Sequence, residues 1–243
     1  MARSLCYSPR MLPILVLLLA MPVAAQRIEK ELILTISGPE LKGGIISEVT
    51  WDDGVVLLQG VFSEPDGELK AQYFVVPEDS TRLERRTTQS DESLRYWQMK
   101  SSRLSPTGLG RIDLRTDAKM PQLGIGSLER RLREAVELGG TQTSTEVCIG
   151  SLVLHARVGD APYDGEVWSW SPPELNRIAY VDAKGDLWVA HADGRDPRRI
   201  LTGDFTLPAW SQDGRQIAIA ERKANGTRWE ISVVHLPPDL TRD

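Results

Sequence analysis

The three histidines of the chain share a local pattern that could bind a metal ion. Each of them, His155, His191 and His235, directly follows two apolar residues and closes an apolar run. Three imidazoles form the ligand set of several catalytic zinc sites, in which the metal activates a water molecule. The pattern therefore makes these histidines candidate ligands of a divalent metal in an enzyme.

Two of these histidines lie in an internal repeat. The segments WSPPELNRIAYVDAKGDLWVAHADG and WSQDGRQIAIAERKANGTRWEISVVHL begin at Trp170 and Trp210, 40 residues apart. Each opens on Trp-Ser and continues as two β-rich runs. One such unit cannot bury both faces of its own sheet, so copies must stack around a shared core, as in a β-propeller. The predicted strands are 177–182 and 187–191 in one copy, and 215–221 and 229–235 in the other.

This repeat argues against a shared metal ion. Equivalent positions on the outer strands of neighbouring blades diverge by more than the roughly 4 Å that two ligands of one ion can span. We therefore expect the three histidines to close strands at the rim of the fold, and we predict no metal or other cofactor. The metal-dependent enzyme stays as the alternative.

A third, more divergent copy begins at Trp51. It contains apolar strands at 55–62 and 70–76 with an Asp-Gly turn between them. Asp-Gly pairs also begin at positions 53, 164, 193 and 213, where the chain must reverse between strands. Glycine accepts a positive φ and aspartate caps its own turn, so Asp193-Gly194 and Asp213-Gly214 are predicted to be structural turns.

The rest of the chain is less regular. The stretches 94–117 and 143–158 have strand-sized apolar alternation, which suggests two further blades that begin near Trp97 and Thr143. Between them, SLERRLREAVELGG has a serine cap and a glycine stop, which predicts a short helix near 127–138. The predicted fold is all-β: a small β-propeller of four to five blades, irregular or incomplete, with one inserted helix.

The two ends of this domain are predicted to pair. After His235 only LPPDLTRD follows, and its two prolines prevent a normal outer strand. The segment 31–36 is the first apolar strand-like run after the N-terminal leader. We expect it to lie beside 228–235 as the outer strand of the last blade, which would close the ring and protect an open edge.

The N-terminus has the features of an export signal. Arginines precede an unbroken apolar run at 14–21, and small residues at 23–25 precede a cleavage point before Gln26. The run is shorter than the about 20 residues of a membrane span. We predict a signal peptide at 1–25 and a periplasmic or secreted domain at 26–243, without a membrane span after signal removal; a retained signal anchor is the alternative.

Charge and cysteine content restrict the partners further. Removal of the leader, which has two arginines and no acidic residue, changes the formal charge from −5 to −7. A negative chain disfavours nonspecific binding of nucleic acid. Only Cys148 then remains, so no internal disulfide can form. Cys148 lies in an apolar run and is predicted to be a small core residue, with a reactive thiol or an intermolecular bridge as the alternative.

The clear repeats resemble those of the TolB-type β-propellers, whose blades have a WSPDGxxIAF signature followed by an IYVMxxDG strand. The matching residues are WSQDGR at 210–215 with IAI at 217–219, and LWV at 187–189 with the Asp-Gly pair that follows it. The chain departs from the pattern in PPE at 172–174 and has no α/β domain upstream, so it is not TolB itself. The resemblance implies an exported module used for protein contacts or as a regulatory or substrate domain of a hydrolase. Some lyases of this propeller type use metal-bound histidines.

Sequence motifs for other chemistry are missing from the chain. It contains no GxSxG, HExxH, GxxxxGK[ST] or paired-cysteine motif. We therefore predict an exported, non-catalytic module, without catalytic residues, that binds a protein or cell-envelope component through loops at one end of the propeller channel. The alternatives are the metal-dependent lyase or hydrolase and an incomplete propeller that a partner chain completes.

Overall fold

A computed structural model of the chain describes residues 28–37, 45–63, 68–76, 84–86, 90–117, 144–158, 166–223 and 228–241. The predicted signal peptide at 1–25 and the predicted helix at 127–138 lie outside these residues. Within them, strands predominate and one helix occurs. The elements in chain order are β1 Glu29–Ser37, β2 Ile45–Asp52, β3 Val55–Ser63, β4 Leu69–Val76, β5 Glu84–Arg86, α1 Asp91–Ser101, β6 Asp113–Asp117, β7 Ser144–Ile149, β8 Leu152–Val158, β9 Trp168–Trp170, β10 Arg177–Val181, β11 Leu187–His191, β12 Arg198–Leu201, β13 Phe205–Trp210, β14 Gln216–Lys223 and β15 Arg228–His235.

The described strands form four antiparallel sheets, which confirms the all-β class. The first sheet has the order β2-β3-β4-β5, the second β6-β7-β8, the third β9-β10-β11-β12 and the fourth β13-β14-β15-β1. The strands predicted from the repeats are present as β3, β4, β10, β11, β14 and β15. Consecutive antiparallel strands can be joined by short hairpins. The turn residues between the apolar runs of the sequence therefore favour these sheets.

Trp51, Trp170 and Trp210 occupy equivalent places in three sheets, as the repeat predicts. Each lies on the first strand of its sheet, where Trp170 pairs with Ile178 and Trp210 pairs with Ile217 on the second strand. Trp51 pairs in the same way with Val56 on the second strand of the first sheet. All three side chains are buried. A large aromatic side chain at a fixed repeat position gives each sheet an apolar surface to place on its neighbour.

These tryptophans lie in the contacts between sheets. Trp51 packs in a core cluster with residues of the fourth sheet, Trp210 with residues of the third, and Trp170 with residues of the second. The strand contacts agree, because β13 contacts both β2 and β9, and β10 contacts β8. The sheets therefore stack in the order second, third, fourth, first.

The Trp-Ser pair also shapes the first hairpin of two sheets. The Ser211 hydroxyl accepts a hydrogen bond from the Gln216 amide at 3.0 Å, and the Ser171 hydroxyl accepts one from the Arg177 amide at 2.9 Å. In the fourth sheet the turn uses Gly214 at φ +70°, and in the third sheet Asn176 takes a left-handed conformation at φ 45°. Asparagine tolerates this region better than most residues. The PPE departure from the repeat is thus accommodated in a turn one residue longer.

The predicted pairing of the chain ends is confirmed. Strand β1 lies antiparallel beside β15, with Glu31 opposite Val233 and Leu34 opposite Ile231. Leu34 is buried in the same cluster as Trp51, and Leu32 is 53% exposed. The first described strand therefore completes the sheet that contains the last one.

The prediction of a blade beginning at Trp97 is wrong, because this residue lies in helix α1. The Ser90 hydroxyl caps the helix by accepting a hydrogen bond from the Ser93 amide, and acidic residues occupy the first turn. These caps and charges satisfy the free amides of a helix start. The next strand after this helix is β6.

The prediction of strands at 143–158 is confirmed by β7 and β8. Cys148, which lies in β7, is fully buried, as expected.

Helix α1 packs against the first strands of three sheets. The Tyr96 hydroxyl lies 3.0 Å from the carbonyl oxygen of Trp210 at the end of β13, and the Lys100 ammonium donates a hydrogen bond to the Val49 carbonyl in β2. The Trp170 indole in β9 donates to the Ser102 carbonyl just after the helix at 2.7 Å. No helix in the described part of the chain is long and apolar enough to cross a membrane.

Candidate functional site

A cavity of about 810 Å³ lies between α1 and the first and fourth sheets. Its lining residues come from β2, β3 and β4 of the first sheet, from β13, β14 and β15 of the fourth sheet, from α1, and from Glu166 just before β9. Protein cavities that hold small ligands measure about 300–1,000 Å³. The size of this cavity therefore suits a small molecule or a short segment of another chain.

Aromatic and aliphatic side chains form much of the wall. Tyr73, Trp97 and Trp229 line the cavity, and the Tyr73 hydroxyl accepts a hydrogen bond from the Gln59 side chain at 2.8 Å. The lining also includes Ile45 and Leu94, which are 58% and 41% exposed. Exposed large apolar residues beside an aromatic cavity favour binding of an apolar group.

Glu48 places a carboxyl group in this wall. It points from β2, and its Oε1 atom is buried without a hydrogen-bond partner among the described residues. Burial raises the pKa of Glu48 to about 7, and the charge of Lys100 opposes part of this effect. A buried carboxyl oxygen that lacks a donor disfavours the ionised form, which agrees with the raised pKa.

Lys100 is the partner charge of Glu48. Its side chain is buried in α1, and its ammonium donates one hydrogen bond, to the carbonyl oxygen of Val49 at 3.0 Å. Burial lowers the pKa of Lys100 to about 8, while the carboxylate of Glu48 acts in the opposite direction. Burial raises the pKa of Glu48 and lowers that of Lys100, so the two pKa values, about 7 and about 8, lie close together.

Arg222 adds a positive charge at the cavity. Its guanidinium lies over the Trp229 ring, 5.0 Å from the ring centroid, and makes no ion pair with any carboxylate of the described residues. Glu166, the other carboxylate in the lining, is paired with Arg157 at 3.3 Å. The cavity thus offers an exposed cation and a buried acceptor at different places in its wall.

The structure does not bring the three histidines together. His155 lies within β8 of the second sheet, with Nδ1 3.0 Å from the Val181 carbonyl oxygen, so the expectation that it closes a strand is wrong. His191 and His235 end β11 and β15, as expected. In the described ranges, no group of three or more His, Cys, Asp or Glu residues could hold a metal ion.

His191 and His235 have acidic neighbours in their own surroundings. The Nε2 atom of His191 is 3.9 Å from an oxygen of Asp196, and that of His235 is 3.4 Å from an oxygen of Glu31. These contacts are local to the end of each strand. Each of the two histidines therefore has its own acidic neighbour.

The predicted repeat turns are formed by residues outside the lining of the cavity. Gly194 and Gly214 adopt positive φ, and each preceding aspartate accepts a hydrogen bond from the amide two residues later. This is the turn chemistry expected for Asp-Gly.

No family model and no curated protein matches this chain.

Sequence reasoning missed every charged residue of the cavity. Glu48 lies in an apolar run that ends at Trp51, where a charged residue at a core position could have been noticed. Lys100 and Trp97 lie in a segment whose Ser90, Asp91 and Glu92 are a helix-start signal. Arg222 follows β14 residues that fitted the repeat, and nothing in its sequence context distinguishes it.

Proposed function

We propose that this chain is an exported, non-catalytic module of the TolB-like β-propeller type that binds another protein of the cell envelope or the secreted fraction. The observation that carries the proposal is the cavity between α1 and the first and fourth sheets, with its aromatic wall and exposed apolar residues. Loops and cavities on a rigid β scaffold are common binding sites. The proposed localisation is periplasmic or secreted, on the strength of the N-terminal sequence.

The fold supports the proposed repeat relationship. Three sheets place a tryptophan at the same register position, and two of them use the Trp-Ser hairpin in the same way. Strand β1 completes the fourth sheet, which is the arrangement by which a propeller joins its two ends. Contact of the fourth sheet with both the third and the first is consistent with blades arranged around an axis.

The chemistry of the cavity supports binding. The half-buried ring of Trp97 provides a rigid apolar surface. Arg222, which is exposed and stacked on the buried Trp229 ring, provides a directional cation. Aromatic residues and arginine are enriched at the energetic centres of protein interfaces. Burial of Ile45 and Leu94 by a partner would add about 25 cal/mol for each Å² of apolar surface removed from water.

A site-specific cross-linking experiment tests the proposal. A photoreactive phenylalanine derivative replaces Leu94, which lines the cavity, in the full chain expressed in its own host. The matched control has the same residue at Val153, which is 43% exposed on β8 of the second sheet. We expect a defined cross-linked partner from position 94 that is lost when Trp97→Ala is added, and no such product from position 153. Equal products from both positions, or none from position 94, would contradict the proposal.

Export is tested separately in the same cells. The mature protein is expected in the periplasmic or secreted fraction with Gln26 as its first residue, by mass spectrometry of the intact chain. Recovery of the full 243-residue chain in the cytoplasm would refute export and leave the binding proposal to the cross-linking result.

A further inference from the structure

Two leucine side chains are exposed on the short loop between α1 and β6. On this loop, residues 103–111, Leu104 is 54% exposed and Leu109 is 68% exposed. Exposed leucines that occur singly are normal on a protein surface, whereas two on one short loop point to a contact with a protein or a membrane. No residue of the loop lines the cavity described above. The two leucines therefore mark a second surface of the molecule.

Hydrogen bonds within the loop hold its backbone. The Ser105 amide donates to the Gly110 carbonyl oxygen at 2.8 Å, and the Gly110 amide donates to the Ser105 hydroxyl at 2.9 Å. The Ile112 amide donates to the Arg103 carbonyl oxygen at 2.7 Å, which joins the two ends of the loop. A loop whose backbone is already ordered loses little conformational entropy when it binds a partner.

The loop is also anchored on the third sheet. A Cβ atom at Gly110 would lie 1.9 Å from the Ala192 carbonyl oxygen, so only glycine permits this close approach. The Thr107 hydroxyl donates a hydrogen bond to the side-chain oxygen of Asn176 at 2.7 Å. These contacts hold the loop against the sheet, while its two leucines remain exposed.

The loop lies in a cationic stretch of an acidic chain. Residues 93–112 contain four basic residues and no acidic residue, although the formal charge of the whole chain is −5. The basic residues are Arg95, Lys100, Arg103 and Arg111. Lys100 is buried, whereas the three arginines are exposed. The loop therefore has an exposed arginine at each end, close in the chain to its exposed leucines.

An acidic residue follows this stretch and pairs with one of the arginines. The side chain of Arg111 lies 3.4 Å from that of Asp113, and the two side chains are 78% and 49% exposed. Exposed ion pairs contribute little free energy and are screened by salt. An anionic group of a partner can therefore compete with Asp113 for this arginine.

We infer that the loop contacts an anionic phospholipid surface: its two leucines enter the boundary between headgroups and acyl chains, and the arginines at its two ends lie at the lipid phosphates. The inference goes beyond the binding function proposed for the cavity and does not depend on it. Arginine suits this position, because its aliphatic part covers apolar surface while the guanidinium bonds to a phosphate. Anionic lipid attracts basic residues near its surface, and buried apolar side chains add to this attraction.

The size of the loop favours lipid over a folded protein as the partner. A specific protein interface buries about 800 Å² on each partner. A loop of this length with two leucines presents much less surface than that. A lipid surface requires only an apolar tip and nearby cations, which the loop provides. The small number of these groups predicts weak, reversible binding.

Co-sedimentation of the mature protein with lipid vesicles tests the inference. The probes are vesicles of phosphatidylcholine alone and of an equimolar mixture of phosphatidylcholine and phosphatidylglycerol. We expect at least about fivefold more bound protein on the anionic vesicles at low salt, because each arginine near the surface adds to the attraction. This excess should fall as the salt concentration rises, since salt screens the attraction.

Paired variants separate the apolar from the ionic contribution. Leu104→Ser combined with Leu109→Ser is expected to abolish binding to both kinds of vesicle. Arg103→Gln combined with Arg111→Gln should reduce binding to anionic vesicles to the level seen with neutral vesicles. Circular dichroism melting checks that each variant is folded.

Two exposed residues elsewhere on the surface serve as matched controls. Leu32→Ser alters a leucine that is 53% exposed on β1. Arg215→Gln alters an arginine whose side chain is 78% exposed beside Asp213. Both variants should bind anionic vesicles as the parent does.

A fluorophore on the loop reports insertion directly. Leu109→Cys labelled with a polarity-sensitive fluorophore should shift its emission to shorter wavelength when anionic vesicles are added. The same label on Leu32→Cys should not shift. Cys148, the other cysteine of the mature chain, is fully buried, so labelling is directed to the new cysteine.

Three results would overturn the inference: no bound protein at millimolar lipid, binding that survives the paired leucine variant, and equal binding to neutral and anionic vesicles. A loop that contacts a protein instead of lipid would give the first of these results. Cross-linking from position 94 reports on the cavity alone. Failure of vesicle binding therefore leaves the proposed function standing, and failure of the cross-linking leaves the lipid contact standing.

Discussion

The indole nitrogen of Trp51 donates a hydrogen bond to the backbone carbonyl oxygen of Ala209 at 2.9 Å. The two residues are 158 positions apart in the chain and belong to the first and fourth sheets. Both are buried. This bond joins the first and fourth sheets, both of which contribute residues to the lining of the cavity.

Replacement of Trp51 by Phe should destabilise the protein more than the same change at Trp210. Both substitutions remove similar volume from a buried ring. Trp51→Phe also leaves the Ala209 carbonyl without its donor, whereas the Trp210 indole nitrogen has no hydrogen-bond partner in the described residues. We expect a difference of about 1 kcal/mol in the free energy of unfolding, measured by urea denaturation. Equal losses would contradict the assigned role of the bond.

Strand β1 should contribute to stability through the side chains that it buries. Leu34→Ala is expected to lower the free energy of unfolding by about 2–5 kcal/mol, because Leu34 lies in the core cluster beside β15. Leu32→Ala is the control on the same strand, since Leu32 is 53% exposed, and should cost under about 1 kcal/mol. Thermal melting and urea denaturation measure both.

Deletion of residues 26–37 is the more severe test of the same pairing. It exposes the edge of β15, where Ile231 and Val233 face Leu34 and Glu31, and removes a ladder of backbone hydrogen bonds. We expect aggregation or a large fall in melting temperature. A deleted protein that stayed monomeric with an unchanged melting temperature would show that β1 is dispensable.

Stability should fall as the pH rises from about 4.5 to about 7 because of Glu48. Its folded-state pKa of about 7 exceeds the ordinary value of 4.5, so the folded state binds more protons than the unfolded state in this range. The contribution is present at pH 4.5 and is lost as the carboxyl ionises, by about 1–3 kcal/mol. Urea denaturation across this range should show a fall that Glu48→Gln removes.

Lys100 gives an internal control in the same titration. Its pKa is lowered from 10.5 to about 8, so the unfolded state binds more protons between these values and stability should rise with pH there. Glu48→Gln should preserve this rise in stability. The rise should begin at lower pH, because the variant lacks the carboxylate that raises the pKa of Lys100 in the folded protein. A variant whose whole pH profile matched the parent would contradict the assignment to Glu48.

Gly214 should tolerate alanine less well than Gly54. Both have positive φ, at +70° and +80°, so both carry the conformational cost of a side chain in that region. A Cβ at Gly214 would also overlap Leu175 Cδ1 of the equivalent turn in the third sheet, while Gly54 has open space. We expect about 1 kcal/mol for Gly54→Ala and about 2–3 kcal/mol for Gly214→Ala by urea denaturation.

The helix shows why local patterns can mislead. Residues 94–117 alternate in polarity over strand-sized stretches, which predicted a blade, yet Ser90 and the acidic first turn start a helix that ends at Ser101. The decisive signal, the Ser90 cap and the acidic first turn, lies just before the alternating stretch. Tertiary contacts then hold the helix, since Lys100 and Tyr96 bond to backbone carbonyl oxygens of β2 and to those at the end of β13.

The sequence by itself determined the β class, the strands of the repeats, the equivalent places of Trp170 and Trp210, and the pairing of 31–36 with 228–235. These features follow from local periodicity, turn residues and the need to cover an open edge, all of which are encoded within short stretches. Only the tertiary structure decided the cavity and its charges. Glu48, Lys100 and Arg222 lie on three separate elements, and burial, which sets the pKa of Glu48 and Lys100, exists only once β2, α1 and the fourth sheet have packed together.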